Sequence, residues 1–343
     1  MNIQMKWPVI SIVMATLNSS RTIKKSLDSL KIQKYKGKIE LLILDGGSSD
    51  DTLKVARQNG AKVYFNKLKT AEAAKALGVK KATGSIIALI DSDNVLTSNL
   101  WLEKLVKPLV EDSTIIASEP IYFEYREIDH WLTRYFALIG MGDPVNLFIG
   151  NYDKYNYLSK SWTNVDLQQE EKRGYIKVKL VNRIPTIGAN GFLIRKSVLD
   201  NYPASDYLFD VDVLEYLVKK NSIFVAKVNQ GVVHLFSGDV STFIRKQRRR
   251  IRDYLYHYYY KNSKKTENSL ESPFIFWGIV KFVASCILVL PLVYQTLIGY
   301  SRKKDIAWLF HPIACYITFF SYTYETIRFI FIKEEFSREG WKQ

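Results

Sequence analysis

Short apolar segments, each followed by a helical pattern, constrain the fold of the first third of the chain. The segments predict buried strands at residues 9–15, 40–44, 62–65 and 85–90. Between them, apolar residues recur at helical spacing, as Ile23, Leu27 and Leu30 do. Alternating helices and continuously apolar strands are typical of a largely parallel sheet covered on both faces. The sequence therefore predicts an α/β fold with a Rossmann-like, mostly parallel sheet.

Polar clusters follow three of these predicted strands. They lie at Thr16 to Asn18, at Asp45 to Ser48 and at Asp91 to Asp93. Ligands of open α/β sheets bind outside the carboxyl ends of the strands, so we expect the three clusters to share one binding site. The two aspartates of the third cluster, separated by one residue, suit a hard divalent cation that also contacts a diphosphate.

The composition of the chain changes twice after the alternating segments, near residues 240 and 272. We predict a first domain over residues 1–240, with one half at 1–118 that contains the polar clusters and an aromatic-rich half at 119–240. A basic, tyrosine-rich helix and linker is expected at 241–272, and two hydrophobic helices with a short tail are expected at 273–343.

Charge composition indicates an anionic partner. The 343 residues include 49 Lys and Arg against 34 Asp and Glu, a net charge of +15. Such a balance favours nucleic acid, an acidic membrane surface or a phosphorylated substrate. The basic cluster adjoins apolar helices without a base-stacking motif, so we expect no nucleic acid partner. The two cysteines, Cys286 and Cys315, lie in apolar segments without CxxC spacing, which excludes a disulfide scaffold or a zinc-finger pattern.

Two apolar segments close the chain, at residues 274–300 and 306–332. The first has Lys281 as its one charge and exceeds the roughly 20 residues that cross a bilayer. Spanning helices, a re-entrant hairpin and a buried soluble hairpin all fit this pattern. If both segments span, the basic residues 302–304 lie on the outer side, against the usual charge bias. The basic residues at 241–272, which precede these segments, favour contact with an anionic membrane surface.

The motifs in their order resemble family-2 glycosyltransferases of the GT-A fold. PVISIVMATLN is similar to their first strand, ELLILDGGSSDDT to their second, and EAAKALGVKKATGSIIALIDSDN to the helix and strand that deliver their metal-binding DxD. The resemblance covers residues 8–253 and implies a GT-A fold and an inverting, nucleotide-sugar-dependent hexosyltransferase with Mn²⁺ or Mg²⁺. It implies that residues 1–240 are the catalytic domain, with a nucleotide-binding half at 1–118 and an acceptor half at 119–240. Ala15 replaces the usual proline and Gly46 the usual second aspartate.

The resemblance assigns roles to the three polar clusters. It implies that Thr16, Asn18 and Asp45 line the pocket for the nucleobase and ribose. Asp93 would ligate the metal, and Asp91 would hold the ribose or the water shell of the metal.

Further roles follow for residues outside these clusters. Lys75 stands where the family commonly has arginine and keeps a charge towards the diphosphate. The segment LFDVDVLEYL matches the helix start that carries the catalytic base, which makes Asp210 the better candidate and Asp212 the alternative. Carboxylates in the first turn of a helix also stabilise it by interacting with the positive end of the helix dipole. A purely structural role for these aspartates is therefore the competing interpretation.

Weaker resemblances concern the end of the predicted catalytic region. Gly188 and Asn190 belong to a small-residue loop expected beneath the sugar. His234 stands where some relatives place an extra metal or phosphate contact, although a lone histidine is often structural. The arginines from Arg248 to Arg250, Arg249 included, would contact either the diphosphate and acceptor or lipid headgroups.

Together these features predict transfer of a sugar from a UDP- or GDP-sugar to a membrane-associated acceptor. The acceptor would be a polyprenyl phosphate or a lipid-linked or cell-surface glycan, and the enzyme would sit at the cell membrane with its catalytic domain facing the cytoplasm. One alternative is a nucleotidyltransferase that makes sugar nucleotides, but MATLNSSRT lacks the glycine-rich phosphate loop of that class. The other is a non-catalytic, membrane-bound module that binds nucleotides or anions.

Overall fold

The computed structural model describes residues 7–188, 190–203, 206–262 and 273–334. For 257–262 and 273 the description covers the backbone alone. The linker expected after residue 262 and the tail from 335 onwards lie outside the described residues.

The first third of the chain alternates strands and helices as predicted. Thr70 caps the start of the helix at Ala71–Lys81, because its hydroxyl accepts a hydrogen bond from the Ala73 amide at 3.1 Å. The elements are β1 (Ile10–Thr16), α1 (Ser20–Lys31), β2 (Ile39–Asp45), α2 (Thr52–Gln58), β3 (Lys62–Phe65), α3 (Ala71–Lys81), β4 (Ile86–Leu89), β5 (Asn94–Leu96), α4 (Trp101–Glu111) and β6 (Ile115–Phe123).

The rest of the chain adds strands first and long helices afterwards. Its elements are α5 (Trp131–Ile139), α6 (Val145–Ile149), β7 (Gln168–Lys172), β8 (Tyr175–Leu180), β9 (Phe192–Arg195), α7 (Lys196–Asp200), α8 (Asp210–Lys220), β10 (Ile223–His234), α9 (Val240–Asn262), α10 (Pro273–Leu288), α11 (Leu290–Arg302), a 3-10 turn (Ile306–Leu309) and α12 (Phe310–Phe331).

The described residues form two compact units. The first comprises the chain up to Glu124 together with Val165–Ser237, and the second comprises Tyr125–Asn164 together with the described residues from Gly238 onwards. The segment 125–164, which the sequence places in the acceptor half of 1–240, thus belongs to the second unit.

The first unit is built on one mixed sheet of ten described strands. Its order is β3-β2-β1-β4-β9-β6-β10-β8-β7, with β5 paired to β10. Strands β1 to β4 are mutually parallel, as predicted, and β6 runs parallel to β10. Strands β5, β7, β8 and β9 pair in the antiparallel sense, so the prediction of a mostly parallel sheet applies to the nucleotide-binding half.

Strand β6 extends across the predicted boundary at 118/119 into the aromatic-rich half. Pro120 lies inside it, and proline is normally unfavourable in an inner strand because it lacks an amide proton. Strand β9 pairs with β6 at Ala117 and Ser118, so Pro120 lies beyond that pairing and leaves no ladder bond to β9 unmade.

An ion pair is buried where β6 meets β10. The Lys227 ammonium lies 2.5 Å from the Glu119 carboxylate, and the two side chains are 0% and 1% exposed. We expect Glu119→Ala to lower the free energy of unfolding by about 3–5 kcal/mol, because it leaves an uncompensated charge in the core. Asp28→Ala, which breaks the exposed pair with Lys24, should cost at most about 0.5 kcal/mol. Urea unfolding of both variants measures this, and equal losses would contradict it.

The second unit joins its long helices through buried polar contacts. The Glu325 carboxylate of α12 is 1% exposed and accepts hydrogen bonds from Arg248 and Arg252 of α9, at 2.5 and 2.8 Å. Beside it lies an apolar core of Val145, Ile149, Phe282, Cys286, Leu292 and Cys315.

Helices α10 and α11 form a sharply bent pair. The bend measures 95° and lies at Val289, whose φ of 62° is unusual for a β-branched residue. Among the described residues, no single helix has the length and apolar character needed to cross a membrane. The bent pair meets these criteria when its two helices are taken together.

Candidate active site

The carboxyl ends of β1 and β2 meet at Asp45. The register of the two strands places Thr16 opposite Asp45. One carboxylate oxygen accepts hydrogen bonds from the hydroxyls of Thr16 at 2.8 Å and Ser48 at 2.5 Å. The other oxygen accepts from the amides of Gly47 at 2.8 Å and Ser48 at 2.7 Å. A carboxylate offers about four acceptor positions, so this one is used in holding its own loop.

Asn18 continues this loop network. Its amide proton is donated to the Ser48 hydroxyl at 2.8 Å, and its side-chain oxygen accepts from the Ser49 amide at 2.9 Å. The backbone of Asn18 has a φ of 50°, a conformation that asparagine tolerates better than most residues. The structure therefore brings together Thr16, Asn18 and Asp45, as the sequence predicts.

Asn94 organises the aspartates that follow β4. Its side-chain oxygen accepts from the Asp91 amide at 3.1 Å, while its side-chain amide donates to Asp93 at 3.3 Å and to Asn190 at 3.0 Å. The residue is fully buried. These bonds connect the DxD turn to the loop that precedes β9.

Strand pairing brings His234 to the same turn. Strand β5 pairs with β10 so that Asn94 stands opposite His234. The Leu235 amide also donates to the Asp93 carbonyl at 2.8 Å. As a result, the His234 Nε2 atom lies 3.4 Å from the Asp93 carboxylate.

A second acidic group reaches the site from α8. The Lys75 ammonium, on α3, donates to the Asp210 carboxylate at 2.5 Å, and the two side chains are 12% and 6% exposed. The other carboxylate oxygen of Asp210 is buried and has no hydrogen-bond partner among the described residues. Gly188 packs directly on Asp210, because a Cβ at Gly188 would collide with the aspartate side chain. Asp210 is thus held from two sides with one oxygen unused.

Burial and mutual charge shift the pKa values of these groups. Burial raises the pKa of Asp210 to about 6, although the neighbouring Lys75 opposes the rise. Burial also raises the pKa of Asp91, and Asp93 adds to the effect, against Lys75 and His234. Burial alone would lower the pKa of Lys75, but Asp210 and Asp91 outweigh it and raise that pKa. The cluster therefore behaves as one electrostatic unit.

The structure gives other contacts for the remaining predicted site residues. Asp212 is partly exposed, in the first turn of α8, and its charge acts on Tyr202. Arg248 and Arg250 belong to the second unit, where Arg248 pairs with Glu325 and Arg250 donates to the Gly142 carbonyl at 3.0 Å. Arg249 lies on the same helix, α9. The predicted contacts of these arginines with a diphosphate or acceptor remain predictions.

The residues present suit one divalent cation held together with a substrate. No group of three or more His, Cys, Asp or Glu side chains suitable for a metal occurs among the described residues. Asp93 and His234 provide one oxygen and one nitrogen, whose 3.4 Å separation is close to the roughly 3 Å expected between adjacent ligands of an octahedral ion. Two protein ligands leave positions that diphosphate oxygens can fill.

Asn94 is a site residue to which the sequence analysis gave no role. It has no charge, but it directly follows the DxD cluster at a strand end. A buried asparagine there must be satisfied by neighbouring backbone or side chains. Ser48, which closes the second polar cluster, is partly buried and donates to Asp45.

Comparison with known proteins decides the family. The model of "Glycosyl transferase family 2" matches residues 11–202, more than half of the 343-residue chain. The chain belongs to glycosyl transferase family 2. The match includes both polar loops, the DxD turn and Lys75, and it ends before α8.

Individual relatives of this family-2 chain are distant. Glycosyltransferase AglE of Haloferax volcanii is 28% identical over 125 residues, which cover 34% of this chain and 41% of that protein. Glucosyl-3-phosphoglycerate synthase of Mycobacterium tuberculosis is 31% identical over 121 residues, which cover 33% of this chain and 37% of that protein. The chain thus spans less than half the length of these curated relatives.

A solved structure shares the fold. The mannosyltransferase PcManGT of Pyrobaculum calidifontis, in complex with GDP-Man and Mn²⁺, superposes with a TM-score of 0.53 at 12% identity. The alignment covers 93% of this chain and 88% of that protein. At this identity the likeness concerns the fold, and it confirms the predicted GT-A-like α/β architecture.

Proposed function

We propose that this family-2 protein transfers a sugar, with inversion, from a nucleoside-diphosphate sugar to an oxygen of the acceptor, which belongs to a hydroxyl or to a phosphate. The observation that carries the proposal is Asp210, a buried carboxylate with a raised pKa and an unused oxygen in the same site as Asp93 and His234. The acceptor oxygen attacks the anomeric carbon, and the proton of a hydroxyl acceptor passes to Asp210, whereas an ionised phosphate has no proton to transfer. The bond to the diphosphate breaks, and its electron pair leaves with the nucleotide.

The proposal includes Mn²⁺ or Mg²⁺ bound by Asp93 and His234, with Asp91 close to its water shell or to the ribose. When bound, such an ion stabilises the negative charge that develops on the departing diphosphate. Support comes from the paired ligands and from the Mn²⁺ and GDP-Man complex of the structural neighbour PcManGT.

Lys75 has two proposed tasks. Its ammonium group faces the acidic cluster, where it can attract a diphosphate as a point charge. It also stabilises the ionised form of Asp210, since it donates a hydrogen bond to that carboxylate. Asp45, whose acceptor positions are taken up by its own loop, shapes the nucleobase pocket together with Thr16 and Asn18.

The acceptor proposed is membrane-associated, a polyprenyl phosphate or a lipid-linked or cell-surface glycan. The excess of positive charge and the apolar helices from α10 onwards support it. A soluble UDP- or GDP-sugar as donor then requires the catalytic region to face the cytoplasm at the cell membrane.

A pH prediction follows from the pKa of Asp210. A base works in its ionised form, so kcat/KM should fall as the pH drops below about 6. We expect Lys75→Gln to move this acidic limb to higher pH, because it removes the charge and the hydrogen bond that oppose the rise in pKa. Lys80→Gln is the matched control, since Lys80 lies on the same helix with a 55% exposed side chain. An unshifted limb in Lys75→Gln would contradict the assignment.

A donor screen tests the proposed function. The full chain in detergent is incubated with UDP- and GDP-sugars and Mn²⁺, with and without membrane lipids as acceptor, and nucleotide release is measured. Metal-dependent release from one donor is expected. Absence of release from every donor would overturn the proposal in favour of a binding module, and pyrophosphate release from a nucleoside triphosphate and a sugar phosphate would identify a nucleotidyltransferase.

A further inference from the structure

We propose that the bent pair α10–α11 is a wedge that enters one leaflet of an anionic bilayer and returns to the same side. This inference rests on the membrane location within the proposed function. It concerns the second unit alone and does not depend on the chemistry at Asp210.

The bend is the most exposed apolar part of the pair. Four consecutive apolar residues form it, and Ile287, Leu288, Val289 and Leu290 are 70%, 64%, 41% and 76% exposed. The bend itself adopts a conformation that a β-branched residue disfavours, with φ of 62° at Val289. A run of large apolar side chains held out at a turn is unfavourable in water, and hydrocarbon is the medium that suits it.

The outer ends of the two helices differ in composition from the bend, since α10 begins with aromatic residues and α11 becomes polar towards its end. Helix α10 begins with exposed Phe276 and Trp277, and α11 ends with exposed Tyr300. Lys303 and Lys304 follow α11 directly. Aromatic and basic side chains favour the headgroup region, whereas aliphatic side chains favour the hydrocarbon. Both outer ends of the pair therefore have the character of an interface, and the bend has that of the interior.

Neither helix is long enough to cross the bilayer alone. Helix α10 has 16 residues and α11 has 13, which correspond to about 24 and 20 Å. The hydrocarbon core is about 30 Å thick, and half of it is about 15 Å. Arms of this length on either side of a 95° bend match the depth of one leaflet.

Both ends of the pair are attached to the same segment, 125–164. Helix α10 approaches it closely, since a Cβ at Gly278 would come within 2.7 Å of the Ile149 Cα atom. At the end of α11, Arg302 donates to the Tyr157 carbonyl at 2.8 Å, and Asp305, three residues further on, accepts from Arg134 at 2.8 Å. Two ends fixed to one segment belong on one side of a membrane, which favours a wedge over a broken span.

Charge identifies the lipid. Residues 273–304 contain Lys281, Arg302, Lys303 and Lys304 and no Asp or Glu. In a wedge, the three basic residues at and just after the end of α11 stay on the cytoplasmic side together with the basic helix α9. This arrangement agrees with the usual charge bias, which two full spans would violate. Anionic headgroups attract such a cluster.

Vesicle flotation of the full chain tests the wedge. We expect binding to vesicles of phosphatidylcholine with phosphatidylglycerol, and weaker binding to phosphatidylcholine alone or at high salt. The double variant Leu288→Ser and Leu290→Ser should partition about 100-fold less, since each leucine is worth about tenfold or more. The matched control is Ile128→Ser, which changes an 88% exposed isoleucine of the same unit outside the pair.

The outcomes separate the wedge from its alternatives and from the proposed function. Unchanged flotation of the double variant would overturn the proposal. A change in its oligomeric state without a change in flotation would also overturn it, and would indicate that a second copy of the chain binds this surface. Nucleotide release in detergent should be the same in the double variant and wild type. If the wild-type protein floats with vesicles but releases no nucleotide, the proposed function is contradicted and the wedge is still supported.

Sidedness provides the second measurement. Cysteines introduced at Ser241 and Lys304, both exposed, are labelled with a membrane-impermeant maleimide in vesicles carrying the full chain. The wedge predicts labelling of both positions from the same side. Labelling from opposite sides would overturn it and indicate a span.

Discussion

Replacing Asp210 by asparagine is expected to lower kcat by at least about 100-fold with a hydroxyl acceptor, the usual scale of general-base assistance. Asparagine keeps the size of the side chain but cannot take the proton. The donor KM should change little, since the proposed donor contacts are made by other residues. Steady-state kinetics with the donor and acceptor found in the screen measure both parameters.

Asp212→Asn is the matched control for this experiment. Asp212 lies two residues further along the same helix and is partly exposed, whereas Asp210 is held between Lys75 and Gly188. We expect the Asp212 variant to retain near wild-type kcat. If Asp212→Asn lost the activity and Asp210→Asn kept it, the alternative base would be correct.

The same variant reports on the acceptor. An acceptor phosphate is already largely ionised at neutral pH, so it needs little help from a base. A small loss in Asp210→Asn with a polyprenyl phosphate, together with a loss of about 100-fold with a glycan, would therefore identify the nature of the attacking oxygen. A rate near wild type with every acceptor would remove Asp210 from the mechanism.

The nucleotide-binding half could be predicted from the sequence because its signals are local. Each apolar strand ends in a polar cluster, and parallel pairing alone brings the ends of β1, β2 and β4 to one edge. Thr16 and Asp45 meet there because the strands are in register. No long-range information beyond the sheet order was needed.

The acceptor half was harder because its contacts depend on distant pairings. His234 reaches Asp93 only because β5 and β10 pair in the antiparallel sense, with 140 positions between Asn94 and His234. The Lys75–Asp210 contact likewise joins side chains 135 positions apart. Strand β6 continues through Pro120, which pairs in register with Val228 of β10 beyond the end of the β9 pairing. Periodicity within a segment contains none of this information.

The C-terminal helices show a different limit. Hydropathy indicates apolar segments without indicating where they bend. The break at Val289 depends on one residue with positive φ followed by Pro291 near the start of α11. A valine in that conformation is disfavoured, so sequence patterns would place a continuous helix there.

Replacing Asp93 by alanine is expected to reduce metal-dependent nucleotide release by about three orders of magnitude. Asp93 is one of two protein groups proposed to hold the divalent ion, and stabilisation of a leaving diphosphate by such an ion is worth several kcal/mol. His234→Ala should act in the same direction, because its Nε2 atom lies 3.4 Å from the Asp93 carboxylate. Nucleotide release is measured over a range of Mn²⁺ concentrations.

Direct Mn²⁺ binding distinguishes loss of the ion from loss of the fold. Titration of the full chain with Mn²⁺ in the presence of a nucleoside diphosphate should give a clearly weaker affinity for Asp93→Ala, while the urea unfolding midpoint stays near that of wild type. Asp28→Ala, which removes an exposed carboxylate on α1, is the control for a nonspecific charge effect and should bind Mn²⁺ normally. If Asp93→Ala bound Mn²⁺ like wild type and still released nucleotide, the ion would have to be held elsewhere, and Asp93 would be a structural partner of Asn94 and His234.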